Sequence, residues 1–134
     1  MRLITWNVNS VRLRLPAVAE LLASAAPDVL CLQEIKADDS KFPFEALREI
    51  GFEHIETQGI KGYHGVATLA RQPLEKLEPI EFCGKQDGRY IGVKLEDGTE
   101  VHNFYVPAGG DEPDPEVNDK FRHKMDFLAE MSQW

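Results

Sequence analysis

A carboxylate and a carboxamide each stand at the C-terminal end of an apolar run. The runs are Leu3-Ile4-Thr5-Trp6-Asn7 and Val29-Leu30-Cys31-Leu32-Gln33-Glu34. Magnesium takes oxygen ligands and is held by one or two carboxylates, waters and substrate phosphate, so one glutamate at a strand end can anchor it. Glu34 is therefore either a metal ligand or the point where a strand leaves the core for water. The Asn7 amide can donate to a carboxylate or to a phosphate oxygen. If the two strands are neighbours, their C-terminal ends open into one cleft. Asn9 faces the same way as Asn7 if the strand persists; otherwise it is a cap or turn residue. Tyr105, in Asn103-Phe104-Tyr105-Val106-Pro107, can donate its phenol to a phosphoryl oxygen. It reaches the same rim if its strand runs parallel to the first two, and otherwise packs as an edge tyrosine. The stretch Gly59-Ile60-Lys61-Gly62-Tyr63-His64-Gly65 combines glycines that let a partner approach closely with a cation, Lys61, suited to phosphate. Alone, it also reads as a turn. His64 is a ligand, an acid/base group or, as a lone histidine usually is, structural.

The elements that must position these groups are legible from periodicity. Residues 2–8 and 29–34 read as strands. Residues 12–25 read as a helix, with Leu15, Val18, Leu22 and Ala25 on one face and Pro16 confining the regular part to its first turn onward. A short helix over 44–50 is stopped by Gly51. Strands are expected near 53–58, 65–71, 77–83, 89–95 and 100–106, with Glu96-Asp97-Gly98-Thr99 as a hairpin turn. Asp114-Pro115 reads as a cap and first residue of a last helix from 116 onward. Strand-helix-strand-helix followed by a meander implies an α/β layered fold with a mixed sheet. No internal repeat or domain boundary is visible, so 1–134 reads as a single partial domain.

Of 134 residues, 43% are hydrophobic and 28% charged, which is the profile of a folded globular domain rather than a disordered one. No apolar run approaches the roughly 18 residues needed to span a bilayer. With no signal-peptide pattern, the expectation is a cytoplasmic protein without a membrane partner. Cys31 and Cys83 are the only cysteines; Cys31 sits in an apolar run, where a free thiol behaves as a small hydrophobe. The net charge of −8 lacks the basic footprint of a non-specific nucleic-acid binder. A divalent cation and a local cluster of Lys and Arg must then handle any phosphate.

Together and in this order, Trp6-Asn7-Val8-Asn9, Leu32-Gln33-Glu34-Ile35-Lys36, Gly65-Val66-Ala67 and Asn103-Phe104-Tyr105-Val106-Pro107 resemble the exonuclease III / apurinic-apyrimidinic (AP) endonuclease family. The resemblance covers essentially all 134 residues. It implies the deoxyribonuclease I-like four-layer α/β sandwich, of which this chain supplies about half, a mixed sheet with helices on its outer face. It implies an enzyme that cleaves phosphodiesters at abasic sites and trims duplex DNA from 3′ ends, with magnesium as cofactor and manganese as its substitute. By that resemblance Glu34 is the metal-binding glutamate, with Asn7 beside it. Asn7 and Tyr105 are active-site residues, and Lys36, Asn9, Lys61 and Arg89 are DNA contacts.

The family's later Asp-x-Asn and Ser-Asp-His motifs do not occur here. Asp111 to Asp119 offers carboxylates in no matching pattern, and His123 has no aspartate before it. The expectation is that this chain alone is inactive and that an uncovered sheet face promotes self-association. Two other readings stay open: a superfamily phosphatase or phosphodiesterase acting on lipid headgroups or small molecules, and a non-catalytic binding module.

Overall fold

The computed structural model describes residues 1–134. The chain divides into two compact units, one of residues 1–79 with 87–105 and the other of 80–86 with 106–134. The first contains seven strands: β1 (Leu3–Asn7), β2 (Val29–Gln33), β3 (His54–Gln58), β4 (Val66–Ala70), β5 (Leu74–Lys76), β6 (Tyr90–Leu95) and β7 (Glu100–Phe104). It also contains helices α1 (Leu15–Ala25) and α2 (Phe44–Ile50). The strands form a four-stranded sheet in the order β1-β2-β4-β3 and a three-stranded sheet β5-β6-β7.

The four-stranded sheet is mixed. β1 and β2 run parallel, with Asn7 opposite Gln33. β4 is antiparallel to both β2 and β3. Every residue of β2 is buried, because both of its faces are covered. Leu30 and Leu32 point to one side and pack with Val18 of α1 and Leu47 of α2. Val29 and Cys31 point to the other side and pack with Ile91, Val93, Leu95 and Val101 of the second sheet. A strand covered twice reads as a continuous apolar run, which is what Val29–Leu32 shows. Burial pushes the Cys31 thiol up to about 11, so it packs as an apolar group, and both cysteines are free.

α1 begins after a 3-10 turn over Val11–Arg14, with Pro16 in its first turn, where its missing N–H costs nothing. It ends at Ala26, whose left-handed backbone lets its N–H return to the Leu22 carbonyl. Gly51 closes α2 in the same manner. The hairpin over 96–99 joins β6 to β7 as its sequence requires.

Two expectations are corrected. No strand covers 77–83: β5 stops at Lys76, Pro79 can donate no ladder hydrogen bond, and Phe82–Gly84 is a 3-10 turn. The last helix, α3 (Asp119–Gln133), starts later than Asp114-Pro115 suggests. Asn118 is its cap, accepting from the Lys120 N–H, while Asp114 closes a preceding turn by accepting from Glu116 N–H. In this second unit Phe127 of α3 is buried and packs on Phe82, ring centroids 4.8 Å apart. No helix is long and apolar enough to cross a membrane.

Candidate active site

The parallel pairing of β1 and β2 does bring Asn7 and Glu34 together. Beyond the ladder the chains stay stitched: Val8 N–H donates to Gln33 O, Ser10 N–H to Glu34 O and Val11 N–H to Ile35 O. On the other flank Ile35 N–H donates to Gly65 O and Lys36 N–H to His64 O. Glu34 is thus held between two loops by main-chain bonds on both sides.

This rim is conformationally strained. The chain has seven non-glycine residues at positive φ, and Asn9 (44°), Ser10 (79°), Glu34 (54°), Lys36 (52°) and His64 (24°) lie here. Left-handed backbone costs a non-glycine residue on the order of 1 kcal/mol or more, and such residues cluster where surrounding bonds fix an unusual geometry for function. Gly65 is also required by space: at φ 84° an added Cβ would meet Ile35 Cγ1 at 2.7 Å.

The Glu34 carboxylate is the focus of the arrangement. Its Oε1 accepts from Asn7 Nδ2 at 2.9 Å and from the Tyr105 hydroxyl at 2.7 Å. Its Oε2 lies 3.8 Å from Lys36 Nζ. The Asn7 hydrogen bond, then that of Tyr105, hold its pKa below the usual carboxylate value despite partial burial. Burial, reinforced by Glu34, raises the Tyr105 phenol, so it stays a proton donor. Tyr105 follows β7, in the other sheet. The contacts Gln33–Asn103 and Glu34–Tyr105 advance together along β2 and β7, and the packing of the two sheets, rather than a shared ladder, brings the phenol to Glu34.

The sheets are joined beneath this site by two buried amides that sequence reasoning did not single out. Asn103 Oδ1 accepts from Gln33 Nε2 at 2.8 Å, and Asn103 Nδ2 donates to Ala67 O at 2.9 Å and Leu32 O at 3.2 Å. Gln33 Nε2 also donates to Thr5 Oγ1. Gln33 immediately precedes Glu34, and Asn103 lies two residues before Tyr105. The available signal was two carboxamides within strands otherwise buried.

Asn9 lies outside β1 in a left-handed turn, so it does not continue the strand's alternation; its Oδ1 accepts from Lys36 Nζ at 2.5 Å. Lys36 and Lys61 line, with Arg12, Lys41 and Asp38, a groove of about 160 Å³. Arg89 is drawn inward: its side chain is 11% exposed and pairs with Asp87 at 2.7 Å. His64 Nε2 lies 3.5 Å from Arg89 Nη2, and its ring centroid is 5.5 Å from that of Tyr105. Burial and the Arg89 charge lower its pKa. His123 lies in α3 and the acidic stretch 111–119 in the second unit.

No cluster of three or more His, Cys, Asp or Glu that could hold a metal occurs in the chain. Magnesium keeps waters and is commonly held by one or two carboxylates. The donor set is one ionised carboxylate and a neighbouring amide. Such a site can bind a hard cation, hold a phosphate against it and present a phenol to the same phosphate.

The Endonuclease/Exonuclease/phosphatase family profile matches residues 4–134. Exodeoxyribonuclease III of Haemophilus influenzae is 30% identical over 139 aligned positions, which take in 100% of this chain and 51% of that protein. An AP endonuclease from Archaeoglobus fulgidus superposes with a TM-score of 0.88 at 32% identity, covering 100% of this chain and 50% of that one. A 3′ phosphatase from Neisseria bound to product DNA hairpin superposes with a TM-score of 0.82 at 35% identity, covering 99% and 50%. The chain thus spans about half the length of each.

Proposed function

The chain belongs to the endonuclease/exonuclease/phosphatase family, a hydrolase family whose relatives of this chain are DNA-repair nucleases. From that premise we propose that the whole protein is a magnesium-dependent phosphodiesterase acting on duplex DNA at abasic sites and 3′ ends. The observation carrying the proposal is the Glu34 carboxylate, ionised, backbone-locked and bonded to both Asn7 and Tyr105.

In this reading Glu34 holds the cation, with Asn7 beside it. Magnesium, manganese standing in, supplies charge neutralisation at the phosphate when bound. Asn7 orients the carboxylate through its amide donor. Tyr105, kept protonated, donates to a phosphoryl oxygen and stabilises charge that develops there. Lys36 and Lys61, with Arg12 and Lys41 in the same groove, attract the flanking backbone phosphates, and Asn9 fixes the Lys36 ammonium. A locally basic groove answers the net charge of −8, since steering depends on the local field. The 134-residue chain alone is proposed to bind without turnover, because it carries no Asp-x-Asn or Ser-Asp-His motif to complete proton transfer.

The test is a substrate panel for the full-length gene product in magnesium and in EDTA: an abasic duplex, a blunt duplex and a phosphoinositide. The proposal expects metal-dependent incision of the abasic strand and release of 3′ nucleotides. Turnover of the phosphoinositide alone would replace it with the phosphatase reading.

A further inference from the structure

Arg89 carries one of the least exposed charges near the site, and each nitrogen of its guanidinium has a protein partner. Its Nε donates to Asp87 Oδ2 at 2.7 Å. Its Nη1 donates to the Tyr105 carbonyl at 3.2 Å. Its Cζ sits 4.8 Å from the centroid of the Tyr105 ring, within range of a cation–π contact. Its Nη2 lies 3.5 Å from His64 Nε2. The main chains are joined as well, since Tyr105 N–H donates to Arg89 O at 2.7 Å, one step beyond the pairing of Tyr90 with Phe104. Arg89 and Tyr105 are therefore cross-strand partners with side chains on one face.

The turn that delivers Arg89 is fixed too. Gly88 has φ 63°, and an added Cβ would lie 3.0 Å from Gln58 O and 3.1 Å from Gly65 Cα. Asp87 and Arg89 are thereby pressed against the loop that bonds to Ile35 and Lys36. A cation that tracks a phosphate backbone keeps its charge open to solvent. Here that charge is offset by a carboxylate at hydrogen-bond distance, and each of the three guanidinium nitrogens faces a protein partner.

We propose that Asp87 and Arg89 form a clamp that holds Tyr105 against Glu34, making Arg89 a positioning residue for the reaction rather than a DNA-backbone contact. The clamp runs Asp87 carboxylate, Arg89 guanidinium, Tyr105 ring and carbonyl, Tyr105 hydroxyl, Glu34 carboxylate. Releasing Arg89 frees the ring to leave the rotamer in which its hydroxyl meets Glu34. Lysine cannot replace it, since an ammonium has neither the planar stacking face nor the fork that reaches Asp87 and the carbonyl together. The consequence for turnover rests on the nuclease reading given above, whereas the consequence for Tyr105 does not.

Two measurements keep these apart. In the full-length protein on an abasic duplex, Arg89→Gln and Arg89→Lys should each lower kcat roughly 10- to 100-fold, the scale of an ångström-level misplacement, with KM and the salt dependence of binding unchanged. Asp87→Asn should act in the same direction, and Arg89→Gln should add little to Tyr105→Phe. A raised KM at constant kcat, with the salt slope reduced by about one and activity restored by lysine, would make Arg89 a backbone contact and overturn the clamp. If the wild type cleaves no DNA, the nuclease reading fails, and the clamp is decided on the 134-residue chain with ¹³C-labelled tyrosine. Arg89→Gln and Asp87→Asn should then average the Tyr105 ring signals, assigned by their loss in Tyr105→Phe. An unchanged, single-rotamer Tyr105 in both variants would overturn the proposal.

Discussion

Replacing Asn103 with leucine keeps the side-chain volume and removes every polar contact that ties the two sheets together beneath the site. Asn103 is 2% exposed and Gln33 8%, so water cannot substitute for what is lost. Three hydrogen bonds disappear, to Gln33 Nε2, Leu32 O and Ala67 O. At a net value of about 1 kcal/mol each the expected loss is about 3 kcal/mol. Gln33 itself is partly spared, since Nε2 retains Thr5 Oγ1. Domains of this kind are stable by about 5–15 kcal/mol, so the variant should fold but sit close to its threshold. Urea unfolding followed by tryptophan fluorescence should show a midpoint lowered by about 1.5 M, taking a slope of about 2 kcal/mol per molar. The Gln33→Leu/Asn103→Leu double variant should lose less than the two single losses combined, because the shared bond is counted twice. A midpoint shift below about 0.5 M for Asn103→Leu would mean that these amides do not bear on the packing of the sheets.

Other consequences follow from the same contacts. Tyr105→Phe removes the 2.7 Å donor to Glu34, so the Glu34 carboxyl should titrate closer to its ordinary value by carbon-detected NMR; an unmoved titration would show the phenol is not its partner. Gly65→Ala places a Cβ against Ile35 in left-handed backbone and should cost about 2–4 kcal/mol by the same unfolding assay, with a loss under 1 kcal/mol contradicting the fit. Stability should fall on acidification in two windows. His64 has a folded pKa below 6.5, so the unfolded chain takes up a proton first and stability declines as pH drops below that value. Glu34, with a folded pKa below 4.5, contributes stability that is complete above that value and disappears as pH falls through its depressed one. His64→Asn should flatten the decline between pH 7 and 5.5; an identical slope would remove His64 as its source.

The apolar runs at β2 and β4 were legible because doubly covered strands have little freedom to be polar. Gly51 and the hairpin turn were legible because backbone rules act locally. Pro79 and Asn118 show where local rules compete: a proline outweighed the apolar run at 77–83, and a second candidate cap displaced Asp114-Pro115. Asn7 and Glu34 could be placed together because parallel neighbours leave their ends side by side. Tyr105 could be named but not placed by its strand, since it reaches Glu34 from the other sheet, 71 residues away in sequence. Sequence identifies Arg89 as a cation; only the Asp87 carboxylate and the Tyr105 ring around it show how that charge is used.

The proposed chemistry rests most directly on Glu34, and the measurement that tests its role is incision of an abasic duplex by the full-length Glu34→Gln protein in magnesium. Glutamine preserves the shape and can still accept from Asn7 and Tyr105 while removing the charge that holds the cation. The expected result is a rate lowered by at least about a hundredfold with a urea midpoint near that of the wild type. Incision within a few-fold of wild type would contradict the central claim, because the ionised carboxylate at the end of β2 would then have no part in the chemistry.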